Sequence, residues 1–533
     1  MAADVNPEQT TSADQPVRMG RAVWLSAATM TSRVLGLIRD QIFAILVGAN
    51  RFSDAFVVAF RIPNLLRDLF AEGALSSAFV PTFADAHRNR GAAQAWRLAN
   101  AVVGVVLVVV GALVLAGEVF AGEVVRGIAP GIAEPALATL LTRAMMPFLL
   151  VVSLSAVAMG MLNAQGRFTA PALAPALFNV GSIAVGLGLW AAGWPPERAV
   201  IGWSAGTMLG GLLQLVVQLP QLHVLGFRPR PRVSRVELAD PGLRRIARLM
   251  GPAVIGLSAT QVNIVVNTWF ASHEVGANSW LQYAFRLMQL PLGVFGVAIA
   301  TVAGAGVAQR AAARDLHAVR ETLGSAMRHV AFLNLPSAVG LVVLARPIIS
   351  LIFEHGRFGT ADTDATAAAL LCYALGLYGY SAVKVLAPAY YALDDARVPV
   401  FGSALGMAAN VALNAALYPV LGFRGVALGT SLAATANFAV LAVAWRRRHG
   451  GLGGVGVARQ LGRVVLACVP LALVAWGAWR GLDAVLPPGG LWRQLTVGLA
   501  PIAAGALAYL AAARALGIRE LDELLGALRR RRG

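Results

Sequence analysis

Charged side chains interrupt two long apolar segments near the start of the chain, where a membrane-spanning helix would place them inside the bilayer. They are Arg33, Arg39, Asp40, Asp54, Arg61, Arg67, Asp68 and Glu72. A charge near the centre of a bilayer costs roughly 2.5–3.5 kcal/mol on insertion scales, so such side chains face a protein interior or a water-filled cavity. The pattern therefore predicts a polar functional site within a membrane-embedded bundle.

Helical periodicity places these charges on shared faces. Residues seven positions apart return to nearly the same face, so Arg33 and Asp40 share one stripe of the first segment, and Arg39 points about 100° away from Asp40. One stripe of the second segment carries Asp54, Arg61, Asp68 and Glu72. Arg67 follows Pro63, and a proline kink would turn the Arg67 side chain towards a cavity.

The second half of the chain adds Arg286, on an apolar segment that Pro291 and Gly293 interrupt. A guanidinium group is planar and has five donors, so it suits bidentate binding of phosphate oxygens. Because Arg33, Arg67 and Arg286 outnumber the nearby carboxylates, we expect an anionic ligand, a phosphate or a pyrophosphate.

A purely structural reading of the same charges stays open. The pairs Arg39–Asp40 and Arg61–Asp68 would hold helices together without touching a ligand. We expect the following residues to gate the site or to form charge pairs: Asp40, Asp54, Arg61 and Glu72. Lys384, in an apolar segment before Pro388, either faces the cavity or snorkels to the interface.

The composition identifies the class of protein that must position these residues. Hydrophobic residues make up 58% of the 533 residues and charged residues 13%, and the mean hydropathy is +0.68. These values are typical of a polytopic membrane protein. About fourteen apolar stretches reach the ~20-residue length of a spanning helix, so the predicted fold is all-α.

Motifs of catalysis and metal binding are not recognised in the sequence. It has no Walker A run, no nucleophile elbow in a credible context and no metal-spaced histidines, and Cys372 and Cys468 both lie in apolar segments. We therefore expect a protein that is not an enzyme, with no metal site and no bound cofactor. Coupling to the membrane potential or to a monovalent cation stays open.

The net charge of +18 follows the topology of the chain. Basic residues cluster in alternate loops, at 88–97, 228–248, 310–320 and 446–459, and again at the C-terminus, at 529–532. This is the positive-inside pattern, which predicts that both termini are cytoplasmic and that the loops contact anionic membrane lipids rather than nucleic acid.

Two stretches of the chain resemble each other at an offset of roughly 225 to 231 residues, which is typical of duplicated transporter halves. Gly48-Ala49-Asn50 corresponds to Gly276-Ala277-Asn278, and Ala59-Phe60-Arg61 corresponds to Ala284-Phe285-Arg286. The predicted divisions are a cytosolic tail at 1–21, a six-helix lobe at 22–222, a basic cytoplasmic linker at 223–241, a second six-helix lobe at 242–449, two further helices within 450–517, and a basic cytosolic tail at 518–533.

The sequence contains three ordered motifs, Ser32–Asp40, Ser53–Phe56 and Pro63–Ser76. They resemble the MurJ (MviN) family of lipid II flippases, in the multidrug/oligosaccharidyl-lipid/polysaccharide (MOP) exporter superfamily. The similarity continues through Arg286–Val294, Phe353–Phe358 and Lys384–Pro388. It covers essentially the whole chain except the N-terminal tail.

The resemblance implies a bacterial inner-membrane protein with fourteen helices and a central cationic cavity. Its implied substrate is undecaprenyl pyrophosphate carrying a disaccharide-pentapeptide, which alternating access moves from the cytoplasmic to the periplasmic leaflet for peptidoglycan synthesis. By position, the family's cavity arginines correspond to Arg33, Arg39, Arg67 and Arg286, and its acidic residues to Asp40 and Asp54. Helices at about 461–482 and 491–513 correspond to those that form a groove for the lipid tail. Implied partners are lipid II, membrane lipids and other cell-wall synthesis proteins.

Two other functions are compatible with parts of the sequence. A MOP-type exporter could move another lipid-linked oligosaccharide, or drugs by cation antiport, although a cation antiporter would need acidic residues in its cavity. A non-transporting scaffold could recruit cell-wall enzymes through its basic loops, but it leaves the buried arginines unexplained.

The sequence departs from the family pattern at Gln289, where some relatives carry an acidic residue. For a coupling cation, the predicted second lobe offers only a weak site made of amides, which are Asn263, Asn267, Asn410 and Asn414.

Overall fold

The chain folds almost entirely into helices. The computed structural model describes residues 19–231, 233–451, 455–487 and 489–530, and within these ranges there is no β-strand. The first half contains α1 (Met19–Val47), α2 (Arg51–Leu66), α3 (Ser76–Arg90), α4 (Ala92–Val119), α5 (Ala121–Ile128), α6 (Pro135–Ala164), α7 (Thr169–Ala191), α8 (Pro196–Val216), α9 (Leu219–Val224) and α10 (Arg235–Leu238). The predicted all-α class is confirmed.

The second half begins with α11 (Pro241–Ala271). It continues with α12 (Ala277–Pro291), α13 (Val297–Ala312), α14 (Leu316–Val343), α15 (Ala345–Phe353), α16 (Thr360–Ala374), α17 (Leu377–Ala392), α18 (Arg397–Leu421), α19 (Phe423–His449), α20 (Val455–Val485), α21 (Leu491–Ala515) and α22 (Arg519–Arg530). Two π-helical segments, Arg67–Leu75 and Leu292–Gly296, join α2 to α3 and α12 to α13.

The helices identify a multi-pass membrane protein. Within the described ranges, eleven helices are long and apolar enough to cross a bilayer, and twelve if α16 and α17, which meet at a bend of 41°, count as one span. Neither α1 nor the α2–α3 pair is among these eleven, and these are the elements that carry the charges of the first two predicted spans. The count of fourteen stays a prediction, with which these two charged elements are consistent.

The two π-helical segments occupy equivalent positions in the predicted repeat. They begin at residues 67 and 292, a separation that lies within the predicted offset. Each follows a proline, Pro63 inside α2 and Pro291 at the end of α12. A proline has no main-chain N–H to donate, and a π-helical turn accommodates the resulting interruption of the helical hydrogen-bond pattern.

Two groups of helices meet at α2 and α12 and along α11, which packs on α18 and α19 of the second group and on α3 and the first π-helical segment. In the first group α1 packs on α7, α7 on α8, and α6 on α2, α4 and α8; in the second, α18 packs on α19, α16 on α12 and α19, and α17 on α13, α14 and α19. The last two long helices, α20 and α21, pack on each other and reach the second group through α14 and α15. The lobe boundaries given above stay predictions.

The turn between α1 and α2 depends on a glycine. Gly48 has φ +81°, and a Cβ there would meet the Arg357 carbonyl, so a larger residue would be both strained and obstructed. Asn50 then caps α2, because its side chain accepts hydrogen bonds from the main-chain N–H groups of Phe52 and Ser53 at 2.9 and 3.3 Å. This turn fixes the angle between the two charged elements.

The structure can be compared with only part of each predicted tail. Residues 1–18 lie outside the described ranges, and α1 already includes Met19 to Arg21, which the prediction assigned to the tail. The predicted C-terminal tail at 518–533 contains helix α22, and residues 531–533 lie outside the described ranges. On α22, Glu520 is 2% exposed and accepts a hydrogen bond from Arg328 of α14 at 3.0 Å and one from Gln460 of α20. This buried pair attaches α22 to the bundle.

Candidate functional site

A cavity of about 710 Å³ lies between the two groups of helices. Its charged lining residues are Arg39, Asp40, Arg61, Arg67, Asp68, Arg286 and Lys384. Five are cations and two are carboxylates, so the lining is net cationic. Aromatic rings, including those of Phe178 and Tyr283, supply much of the remaining wall.

Asp40 stands at the centre of the charged lining. Its Oδ1 accepts hydrogen bonds from Nε and Nη2 of Arg39 at 3.1 and 2.7 Å, and its Oδ2 accepts one from Nε of Arg286 at 2.7 Å. The Asp40 side chain is 8% exposed and that of Arg286 is 38% exposed. One carboxylate therefore joins α1 to α12 and holds two guanidinium groups side by side. The carboxylate partner of Arg286 thus lies on another helix, where the spacing of residues within α12 could not indicate it.

Arg39 is oriented by α7. Nη1 of Arg39 donates to Oδ1 of Asn179 at 3.2 Å, and its guanidinium lies 5.5 Å from the ring centroid of Phe178. Asn179 in turn donates to the Ser32 carbonyl at 3.0 Å. Asn179 was not among the predicted site residues. The one signal for it in the sequence is that Asn410 follows it by 231 positions, within the offset of the predicted repeat.

Arg67 and Arg61 differ in their partners. Arg67 begins the first π-helical segment and pairs with Asp68 at 2.8 Å. Arg61 does not form the suggested pair with Asp68; it donates from Nη1 to Asn278 at 3.1 Å and to Thr268, on the second group of helices. Thr268 and Asn278 are fully buried. Arg61 therefore bridges the two groups of helices rather than two turns of one helix.

Asp54 caps a helix of the other group. Its carboxylate accepts hydrogen bonds from the N–H of Gly276 at 2.6 Å, the N–H of Ser279 at 2.9 Å and the hydroxyl of Ser279 at 2.7 Å. Free N–H groups at a helix start bind a carboxylate well, because the helix dipole favours negative charge there. Asp54 and Ser279 are 225 residues apart, so equivalent turns of α2 and α12 meet face to face.

Further contacts close the same end of the bundle, which we call the sealed end. The N–H of Arg357 donates to the Ile45 carbonyl at 3.1 Å, and the N–H of Gly131 donates to the Ser272 hydroxyl at 3.1 Å. Asp54, Arg61 and these loop contacts together close the cavity at the end where α1 meets α2.

Arg33 is placed apart from the cavity lining. Its side chain is exposed, and a Cβ on Gly293 would overlap its guanidinium. Arg33 therefore lies in a notch of the second π-helical segment, where α1 meets the second group of helices. The side chain of Glu72 lies outside the described part of the structure, although its main chain belongs to the first π-helical segment.

The amide side chains of α11 and α18 bond to one another and to the Thr430 hydroxyl. Nδ2 of Asn267 and of Asn410 donate to the Thr430 hydroxyl at 3.1 and 3.2 Å, and Nδ2 of Asn414 donates to Oδ1 of Asn267 at 2.7 Å. Asn263 and Gln289 line the cavity. Among the residues that the structure describes, no group of three or more His, Cys, Asp or Glu side chains could hold a metal ion.

Comparisons with known proteins converge on one family. The family model described as lipid II flippase MurJ matches residues 43–484. The probable lipid II flippase MurJ of Vibrio cholerae is 36% identical over 521 residues, covering 93% of this chain and 96% of that protein. The lipid II flippase MurJ of Burkholderia cenocepacia is 34% identical over 472 residues, covering 86% of this chain and 91% of that protein.

Solved structures share the fold. A lipid II flippase MurJ in an inward closed conformation superposes with a TM-score of 0.77 at 25% identity, covering 94% of this chain and 99% of that chain. An inward-facing multidrug resistance MATE transporter of the MOP superfamily superposes with a TM-score of 0.64 at 16% identity, covering 81% of this chain and 99% of that chain. The MATE likeness concerns the fold alone.

Proposed function

The chain belongs to the MurJ family of lipid II flippases, and from that membership we propose that it moves lipid II from the cytoplasmic to the periplasmic leaflet by alternating access. The observation that carries the proposal is the net cationic cavity between the two groups of helices. Guanidinium groups on facing walls suit the two phosphates that join the lipid tail to the sugar.

Ligand binding replaces an internal anion. Asp40 holds Arg39 and Arg286 together, and a diphosphate offers the same two guanidinium groups more oxygens and more charge. The arginines therefore exchange Asp40 for the diphosphate, with Arg67 as a further ligand. Because the Asp40–Arg286 pair also joins the two groups of helices, this exchange weakens a contact between them.

Opening of the cavity towards the opposite side of the membrane then requires the two groups of helices to separate at the sealed end. The hydrogen bonds of Asp54 and Arg61 to the second group of helices break together, because they belong to one rigid junction of α2 with α11 and α12. A ligand shifts such an equilibrium only by its differential affinity for the two states. The diphosphate provides this difference because the cavity arginines bind it best once the two groups of helices have rotated.

The positive-inside pattern gives the orientation of the transport cycle relative to the two sides of the membrane. It assigns both termini and the basic loops to the cytoplasm, which makes the sealed end periplasmic. Outward movement of a negative headgroup is then favoured by an inside-negative potential at about 2.3 kcal/mol per charge per 100 mV. The membrane potential is the driver that we propose; the amide cluster around Thr430 offers no carboxylate to a coupling cation.

The lipid tail stays in the bilayer while the headgroup crosses. The headgroup must therefore pass through a seam between the two groups of helices, and the contact of Arg33 with Gly293 closes one such seam. We assign guidance of the tail to α20 and α21, which lie outside the repeat and pack against α14 and α15.

Complementation tests this function directly. A bacterial strain depleted of its own lipid II flippase receives the intact protein, Arg67→Ala or Arg286→Ala at matched membrane levels. We expect growth with the intact protein and with neither variant. Arg346→Ala, which removes an exposed arginine paired with Asp364 at 2.7 Å, is the control and should support growth. Failure of a well-expressed intact protein would contradict lipid II transport, and rescue by both cavity variants would remove the arginines from the mechanism.

A further inference from the structure

Lys384 is the only lysine in the chain. The sequence has 44 lysine and arginine residues, and all the others are arginine. Lys384 lies on α17 in the second group of helices, and its side chain lines the cavity. The one lysine side chain of the protein thus lies where the proposed function requires contact with an anion.

Lys384 also differs from the other cavity cations in its bonding. Arg39 and Arg286 share Asp40, Arg67 pairs with Asp68, and Arg61 bonds to Asn278. Lys384 is exposed to the cavity, and within the described part of the chain its ammonium group has neither a hydrogen bond nor an ion pair. An anion that reaches the arginines must displace their partners, whereas Lys384 is available at once.

The position of Lys384 along the bundle separates it from the arginine pair. Helix α16 begins at the sealed end, where its Asp362 accepts a hydrogen bond from Trp280 of α12 at 3.1 Å, so α17 runs away from that end. At a rise of about 1.5 Å per residue, Lys384 lies about 12 Å before the far end of α17, and Arg39 lies about 12 Å from the sealed end of α1. Lys384 therefore lies on the side of the cavity from which a headgroup arrives. Arg67, about 24 Å along the chain from the sealed end of α2, is the other cation remote from that end, but it is already paired with Asp68.

We propose that Lys384 makes the first contact with the diphosphate of the incoming lipid and holds it until Arg39 and Arg286 exchange Asp40 for it. This inference rests on the proposed function and names the residue that begins binding. A lysine suits the task because its ammonium is a point charge with three rotatable donors on a flexible stem, so it follows a ligand that is still moving. A planar guanidinium holds a fixed pair of oxygens better.

The diphosphate, rather than a carboxylate of the stem peptide, is the group that this position favours. The diphosphate joins the headgroup to a tail that stays in the bilayer, so on arrival it cannot lie far from the membrane interface. The peptide extends away from that anchor. A contact with Lys384 in the half of the cavity remote from the sealed end therefore fits the phosphates.

Binding kinetics test the proposal. The purified full chain is mixed with undecaprenyl diphosphate, with lipid II and with uncharged undecaprenol, and association and dissociation rates are measured at low and high salt. Loss of a steering charge lowers the association rate and its salt dependence. We expect Lys384→Gln to slow association of both diphosphates about tenfold at low salt, with dissociation changed by less than about twofold. Lys384→Arg, which keeps the charge, should restore most of the rate.

The lone lysine supplies a second readout. An amine-reactive reagent can modify only Lys384 and the N-terminal amine, so peptide mass spectrometry reports its exposure directly. Undecaprenyl diphosphate and lipid II should both protect Lys384, and undecaprenol should not. Protection by lipid II alone, or slower association of lipid II alone in Lys384→Gln, would assign the contact to the peptide and overturn the proposal. An unchanged association rate in Lys384→Gln would also overturn it.

The same experiment separates this inference from the proposed function. Binding of undecaprenyl diphosphate that depends on Lys384, together with no binding of lipid II by the intact protein, would contradict lipid II transport and leave Lys384 as a diphosphate contact. Normal binding of lipid II that does not depend on Lys384 would contradict the role of Lys384 and leave lipid II transport standing.

Discussion

Asp40 determines how the cavity arginines are presented to a ligand. It keeps two guanidinium groups within hydrogen-bond distance of one carboxylate, in a site whose remaining wall combines aromatic rings with amide and hydroxyl side chains. Two cations held this way are preorganised for a diphosphate, which needs the same spacing. The Asp40 carboxylate occupies the place of the ligand on these two arginines. The ligand must therefore compete with Asp40 for them.

Removing the charge of Asp40 should strengthen anion binding. Asp40→Asn keeps the shape of the side chain but no longer neutralises Arg39 and Arg286, so we expect affinity for undecaprenyl diphosphate to rise by roughly fivefold, about 1 kcal/mol. The thermal unfolding temperature should fall, because two cations then face each other without a counter-ion. Binding isotherms and thermal melts with and without ligand measure both effects.

Asp364→Asn is the matched control for Asp40→Asn. It removes an aspartate that is 59% exposed and pairs with Arg346 outside the cavity, so it should change neither quantity appreciably. Weaker binding of the diphosphate by Asp40→Asn would contradict the role of Asp40 as a competitor.

At the scale of elements, the junction of α2 with α12 is the main candidate for a gate. Asp54 satisfies two main-chain N–H groups at the start of α12, and it comes from α2, on the other side of the junction. Helix starts that meet between two groups of helices can separate as rigid bodies, since each group keeps its own packing. The π-helical segments begin between three and four turns beyond Asp54 and Ser279, at residues 67 and 292, where a change of helix angle is easiest.

Weakening the Asp54 cap should open the sealed end. Asp54→Asn replaces one accepting oxygen by a donor facing N–H groups and removes the charge, at a cost of about 1–3 kcal/mol. Spin labels at positions 51 and 275, in a protein whose two cysteines have been replaced, report the distance across this end. We expect a new population at longer distance, larger by about tenfold than in the parent.

The Asp364→Asn variant serves again as the control for the spin-label measurement. Asp364 and Arg346 lie on α16 and α15 of the same group of helices, so their pair does not cross the gate. A distance distribution in Asp54→Asn that matches the parent would exclude Asp54 as part of the gate.

Helix α22 is held by one buried carboxylate. Glu520→Ala leaves Arg328 and Gln460 without their partner, and breaking a buried pair of this kind typically costs about 3–5 kcal/mol. We expect faster trypsin cleavage within Arg519–Arg530 and faster amide hydrogen exchange there. Glu523→Ala removes an exposed partner of His329 and should have a much smaller effect. Equal protection of α22 in both variants would contradict its attachment through Glu520.

At the scale of the whole molecule, sequence patterns predict most of the architecture and part of the site. Apolar stretches predict the helices, and charges inside them predict a cavity that contains Arg39, Asp40, Arg67 and Arg286. Periodicity describes one helix at a time, so it could not assign partners across helices. For that reason it offered Asp68 as one possible partner of Arg61, which bonds to Asn278, and it could not identify Asp40 as the partner of Arg286.

Other features depend on tertiary packing in the same way. The position of Arg33 against Gly293 depends on how α1 meets the second group of helices, and the burial of Glu520 depends on α14 and α20. Helical propensity and charge alone describe the C-terminal segment as a basic tail. The presence of Lys384 in the cavity could not be decided from the sequence, because a lysine near a helix end can also reach the interface.

Translocation of lipid II in proteoliposomes tests the central claim most directly. Vesicles with fluorescent lipid II in one leaflet are compared for the intact protein, Arg286→Ala and empty membranes, with and without an imposed potential of the physiological sign. The account predicts rapid movement by the intact protein, acceleration by the potential, and rates near the empty membrane for Arg286→Ala. Equal rates for the intact protein and Arg286→Ala, or no movement by the intact protein under either condition, would contradict transport through the arginine cavity.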